Sequence, residues 1–279
     1  MKTILVPTDF SKLSITSIYY AIGLAKEINA KIIVLNVING VLSTSSLNTW
    51  KNLDEQMIQD AQTEASRILE EISNKHGIID ISYSYVLGFP VKDAVEEFAT
   101  QHKVDFIVMG SKGVTGLSKA FLGTNAAAVI NNSSIPVFII PGEVNYKRIK
   151  NIVYASDMDN LLHEMKAITK FAALVDASVH VLHVVDTEES LSKEKTKLRD
   201  GLIEELIRMT NYSDIHLHLK RNSDIAEGVE KFVVETHPDL LIMFTHRLDF
   251  YEKLFGKSIT RQVVFHNDTP LLAFNKTNQ

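Results

Sequence analysis

Residues 3–9 read Thr-Ile-Leu-Val-Pro-Thr-Asp and residues 151–157 read Asn-Ile-Val-Tyr-Ala-Ser-Asp, an offset of 148 positions from Asp9 to Asp157. Each is a short apolar run rich in β-branched residues that stops on an aspartate, the pattern of a buried strand handing over to a turn. The echo continues outward in the same order. Val34-Leu35-Asn36-Val37 matches Val181-Leu182-His183-Val184 at an offset of 147, from 37 to 184. Val104-Asp-Phe-Ile-Val-Met109 matches Pro238-Asp-Leu-Leu-Ile-Met243, and Ile135-Pro-Val-Phe-Ile139 matches Thr269-Pro-Leu-Leu-Ala273, both at 134. Chance likeness of apolar runs does not reproduce the Asp and Pro punctuation, so the chain is a tandem duplication. The drop in offset between the second and third matches predicts a shorter helical excursion in the second copy.

Each copy alternates short apolar runs with helical periodicity, the signature of a parallel sheet built from βαβ units. Strands are expected near 2–8, 31–38, 80–87, 104–110 and 135–140, and again near 150–156, 178–185, 214–220, 239–244 and 270–274. After Asp9, Ile18, Ala21, Ile22, Ala25 and Ile28 fall on one helical face, with Ser11 or Ser14 as the cap. A longer helix carries Leu53, Met57, Ala61, Ala65, Ile68 and Ile72 at steps of three and four. Leu161, Met165, Ile168, Ala172 and Val175 give the second copy its first helix. The expected fold is α/β: two tandem five-stranded parallel sheets of order 3-2-1-4-5, Rossmann-like, with domains at 1–142 and 149–279. The connection, about Gly142 to Lys150, is short.

In such a sheet, ligands bind beyond the carboxyl ends of the strands where the strand order reverses. In the first copy that place receives two signals. Asp9 ends the first strand, offering a carboxylate to a base or ribose or, on the plainer reading, capping the next helix. The fourth strand runs into Gly110-Ser-Lys-Gly-Val-Thr-Gly-Leu-Ser-Lys-Ala-Phe-Leu-Gly-Thr124, with Gly110, Gly113 and Gly123 at G-x2-G-x9-G-T spacing. Glycines there would allow positive φ and close approach, and a loop entering a helix offers N–H groups to an anion. The spacing is neither a P-loop nor the dinucleotide fingerprint. Lys112 and Lys119 would either neutralise phosphate or serve as exposed solubilising charge.

Taken together, ILVPTDFS, VLNV and the run MGSKGVTGLSKAFLGTN resemble the ATP-binding pattern of the universal stress protein family, in two copies that cover nearly the whole chain. The resemblance implies the adenine nucleotide alpha hydrolase-like version of the fold. It also implies ATP or ADP binding without strong turnover. Asp9 and Val37 would contact the adenosine portion, with Pro7 and Thr8 beside them, and Met109, Gly110, Gly113, Gly123, Thr124 and Asn125 would line the ribose and phosphates. Mg²⁺ would accompany the phosphates, which commonly hold that ion with few protein ligands. The implied role is a nucleotide-responsive stress or regulatory protein. Two readings stand beside it: an interaction or small-ligand module that makes no use of nucleotide, and a weak ATPase.

The second copy departs from the pattern. Phe244 and Arg247 occupy the places of Gly110 and Gly113, and Gly256 and Ser258 alone resemble the later loop. A phenylalanine adds bulk and restricts φ, so this copy is expected not to bind ATP in the family manner. His246 and Arg247 would suit an anion of another kind or an ordinary polar loop. His216 and His218 alternate on a strand and share a face, but a zinc site would need a third ligand. His180 and His183 lie on opposite faces, which rules against joint ligation.

Composition bounds the rest. A hydrophobic content of 45%, a charged content of 23% and a formal net charge of −5 provide no counterion-release drive toward nucleic acid. The absence of cysteine removes disulfides and thiolate chemistry. With no signal peptide or bilayer-length apolar run, the expectation is a cytoplasmic protein with no membrane partner. Self-association and a protein partner are left open.

Overall fold

A computed structural model of the chain describes residues 1–38, 48–111, 123–142, 144–189, 192, 201–245 and 269–275. It divides into two compact units, the first centred on residues 1–116 and 122–146, the second on residues 147–279.

The first unit contains β1 (Lys2–Thr8), α1 (Lys12–Ile28), β2 (Ala30–Ile38), α2 (Asn48–His76), β3 (Ile81–Leu87), α3 (Val91–Gln101), β4 (Phe106–Gly110), α4 (Thr124–Asn132) and β5 (Val137–Ile140). Its strands lie in the order β3-β2-β1-β4-β5, all parallel. The second unit contains β6 (Asn151–Ala155), α5 (Leu161–Val175), β7 (Ser178–Val185), α6 (Leu202–Thr210), β8 (Ile215–Arg221), α7 (Ile225–Thr236), β9 (Leu240–Thr245) and β10 (Leu271–Asn275). Its order is β8-β7-β6-β9-β10, again parallel and again 3-2-1-4-5 within the unit. The connection between β7 and β8 runs over residues 186–214, against residues 39–80 between β2 and β3, as the shortened offset requires.

Burial follows position in the sheet. The central strand β1 is buried from Thr3 to Thr8, whereas β3 and β8, at the ends of their orders, carry mostly half-buried and exposed residues. One expectation is corrected in α2. Ala65, Ile68 and Ile72 are buried, but Met57 is exposed, and the side chain of Leu53 lies outside the described residues. A helix of 29 residues is about 43 Å long. The nine-residue strand β2 covers about 30 Å. The early turns of α2 therefore have no strand beneath them.

The repeated punctuation has a physical cause. Asp105 accepts the backbone N–H of Thr3 at 2.8 Å and pairs with Lys2 at 2.7 Å. Asp239 accepts the N–H groups of Lys150 and Asn151, both at 2.9 Å. In each unit an aspartate before the fourth strand thus clamps the first residues of the first strand, satisfying N–H groups that the ladder leaves unpaired. The helices end alike too: Asn29 and Asp176 sit in the left-handed region and donate their N–H to Ala25 and Ala172.

Candidate functional site

The turn after β1 is built from its hydroxyls and carboxylate. Phe10 stands at φ 57°, a conformation that costs a bulky residue about 1–3 kcal/mol. It is held there by Thr8, whose hydroxyl accepts the N–H of Phe10 at 3.0 Å, while Asp9 accepts the N–H of Ser11 at 3.0 Å. Ser11 then caps α1, and the Ser14 and Thr8 hydroxyls lie 2.9 Å apart. Ser11, not Asp9, is therefore the helix cap, and the Asp9 side chain is left exposed at the strand end. Partial burial pushes its carboxyl pKa upward, but hydrogen bonds from Ser11 and Ser14 outweigh this and hold Asp9 below the ordinary aspartate value. It is an ionised acceptor at neutral pH.

The second unit makes the same turn from different residues. Met158 stands at φ 70°, Ser156 accepts its N–H at 3.0 Å, and Asp157 accepts the N–H of Asp159 at 3.0 Å. Both turns are also clasped from the second strand. Asn36 donates its amide to the Thr8 carbonyl at 2.8 Å, and a ring nitrogen of His183 lies 2.9 Å from the Ser156 carbonyl. Asn36 and His183 were not among the expected site residues. Their shared place in the repeat, both polar amid apolar strand residues, was the signal available for finding them.

Pairing gathers the expected residues at one edge. β1 lies between β2 and β4, so Pro7, Thr8, Asp9, Val37, Met109 and Gly110 all belong to the carboxyl end of the sheet. From there the chain leaves at Ser111 and returns at Gly123, whose N–H donates to the Ser111 carbonyl. Gly113, Lys112 and Lys119 lie in residues 112–122, outside the described residues. Gly123 then caps α4 at φ −62° with no side-chain hydrogen bond, and no acidic residue occupies the first turn. Thr124 and Asn125 are exposed. The start of α4 therefore presents backbone N–H groups and the positive end of the helix dipole at the strand edge.

Two of the glycines do not have the backbone conformation expected of them. Neither Gly110 nor Gly123 has positive φ. Gly110 matters through space instead: a Cβ there would come within 3.3 Å of the Leu13 carbonyl oxygen and the Ser17 hydroxyl on α1. The missing side chain lets α1 lie close against β4. Phe244, at the corresponding place in the second unit, is buried, with its ring 4.8 Å from Phe274 and 5.8 Å from Tyr154. The Tyr154 hydroxyl in turn donates to buried Glu164 on α5. The bulk of Phe244 goes into the core rather than over the strand edge. Arg247, His246, Gly256 and Ser258 fall in residues 246–268, outside the described residues.

The expected His216 and His218 pair shares a face, as its alternation requires, and acquires a third ring that the sequence did not reveal. His180 lies beside His216 in the β7–β8 register, stacked at 4.8 Å, and its Nδ1 is 3.0 Å from Nε2 of His218. Even so, among the described residues no group of three His, Cys, Asp or Glu side chains could hold a metal ion. Nor is any described helix long and apolar enough to cross a membrane.

Comparison with known proteins agrees with the duplicated architecture. A family model described as the universal stress protein family matches residues 1–141 and again residues 148–275. A universal stress protein of Methanocaldococcus jannaschii is 32% identical over 141 residues, covering 50% of this chain and 81% of that protein. One from Bacillus subtilis is 31% identical over 143 residues, covering 49% of this chain and 96% of its own length. Across the full chain, the crystal structure of a universal stress protein from Archaeoglobus fulgidus matches with a TM-score of 0.68 at 19% identity, covering 99% of this chain and 97% of that one. At that identity the likeness speaks for the fold.

Proposed function

The chain belongs to the universal stress protein family, and on that premise we propose that its first domain, residues 1–142, binds ATP or ADP and makes the protein nucleotide-responsive. The observation that carries this reading is the pairing of opposite polarities at one sheet edge. Asp9 is an ionised acceptor at the end of β1, suited to ribose hydroxyls or the adenine amino group and unsuited to phosphate. The start of α4 after β4 is a donor surface without a side-chain cap, suited to phosphate and unsuited to a cation. A nucleotide carries both chemistries in the corresponding order. Pro7, Thr8 and Val37 would flank the adenosine side, and Met109, Gly110, Gly113, Gly123, Thr124 and Asn125 the ribose and phosphate side. Mg²⁺ would be held chiefly by phosphate oxygens. The second domain, residues 149–279, lacks the glycine spacing and is assigned no nucleotide.

Asn125→Glu tests this. A carboxylate in the first helical turn complements the dipole and is expected to leave folding stability unchanged or raise it by about 0.3–1 kcal/mol. Beside a bound phosphate it is repulsive, so ATP affinity should fall at least tenfold, about 1.4 kcal/mol. Thermal unfolding and titration calorimetry with Mg–ATP read the two effects separately. Unchanged ATP affinity in the variant would overturn the placement of the phosphates.

A further inference from the structure

The histidine cluster of the second unit is not used by the nucleotide reading. His180 on β7 and His216 and His218 on β8 occupy one face of the sheet, and α7 packs on that face. Its Phe232, buried, meets the His218 ring at 4.9 Å, and Lys220 lies 5.7 Å from the same phenyl ring. The helix is seated without slack. A Cβ on Gly228 would come within 2.6 Å of Val184 on β7 and 2.9 Å of Asn222.

The hydrogen bond between His180 Nδ1 and His218 Nε2 requires one nitrogen to donate and the other to accept. One proton can be added to the pair without breaking it, because an imidazolium still donates to a neutral ring. A second proton makes both nitrogens donors, and the bond is lost. Charge facing the cluster comes from several sides. Asp214 accepts from His216 at 2.9 Å and from the Ser178 hydroxyl at 2.6 Å, so its carboxylate is already engaged. Lys220 adds positive charge next to His218, and its own carboxylate partner on α7, Glu235, is 3.8 Å away. Further along α7, Lys231 and Glu227 pair with each other at 2.9 Å. The Tyr212 hydroxyl donates to the Ala177 carbonyl. The hydrogen-bonded imidazole pair can take up and release protons near neutral pH.

We propose that His180 and His218 form an acid-responsive latch that holds α7 on the sheet of the second unit while neutral and loosens it when both rings become charged. Burial, the neighbouring imidazoles and, for His218, Lys220 all depress the pKa values of His180 and His218 below the usual histidine value. The folded state therefore resists protons that the unfolded chain takes up near pH 6.5, and stability falls as pH drops through that value toward the lower folded ones.

The test uses the full chain. Proton NMR titration of the imidazole Cε1–H signals should show His180 and His218 with midpoints below about 6.5 and interdependent curves. Urea midpoints measured between about pH 7.5 and about pH 5 should fall in the wild type. The double variant His180→Gln/His218→Gln should lose at least half of that fall, while His163→Gln on α5 should keep it. Hydrogen-exchange protection at the acid end should be lost in α7 before α5. Two histidines titrating independently at or above the usual value would overturn the proposal, whether or not the double variant folds. So would an undiminished pH slope in a folded double variant.

Discussion

Asp9 shows how one residue can serve the fold and remain available for a ligand. One carboxylate oxygen accepts from Ser11 and fixes the turn, and Asp157 does the same in the other unit, so keeping an aspartate at both positions needs no ligand to explain it. The two roles separate in Asp9→Asn. An asparagine can accept the same Ser11 N–H, so chemical denaturation should find stability at neutral pH changed by less than about 0.5 kcal/mol. ATP affinity should drop, because the ionised acceptor is gone. The acid limb should change as well. A carboxyl held below its ordinary 3.8 stabilises the fold above that pH, and the contribution is lost as pH falls through the lower folded value. Denaturation midpoints between about pH 5 and about pH 3 should therefore slope less in the variant than in the wild type. At this scale the sequence made the repeated aspartates and prolines legible as punctuation. It did not show that Asp105 and Asp239 clamp backbone N–H groups of a neighbouring strand, because that partner is a hundred residues away in one unit and almost ninety in the other.

Among the elements, helix and strand assignments were legible because apolar periodicity reports local geometry. The failures arise where a neighbour decides. The stripe of α2 reads as continuous, yet its burial ends where the sheet ends. His180 reads as set apart from His183 on the opposite face, but nothing local points to His216, the ring that strand register places beside it. Phe244 reads as bulk at a ligand edge, yet its buried side chain stacks on Phe274 and meets Tyr154 edge-on. Phe244→Ala should therefore destabilise the second unit by about 3–5 kcal/mol, the range for emptying a buried phenyl site, without creating ATP binding there. The cap of α7 offers a milder check. Asp224 accepts from Ala226 at 2.9 Å and Glu227 at 3.1 Å. Asp224→Ala should cost about 1 kcal/mol in equilibrium unfolding. Gly228→Ala should cost more, about 1–3 kcal/mol, because the added methyl overlaps Val184.

For the whole chain, duplication supplies an internal comparison: two units of one strand order, two turns of the same hydrogen-bond pattern after the first strand, and one intact glycine pattern. What the turns share belongs to the fold. What differs in sequence is the run after the fourth strand, residues 110–125 against residues 244–258, and the function proposed for the first domain depends on that run. Ligand binding to one domain adds stability there by mass action, about 2.7 kcal/mol at a hundredfold excess over Kd. Hydrogen exchange with saturating Mg–ATP should accordingly slow amides of β1, β4 and α4 while leaving β6 and β9 unchanged. The most direct measurement is titration calorimetry of Mg–ATP into the full nucleotide-free chain. One molecule bound per chain, weakened at least tenfold by Asn125→Glu, is the predicted result. No binding at millimolar ATP would contradict the nucleotide assignment, and two equivalent sites would contradict its confinement to the first domain.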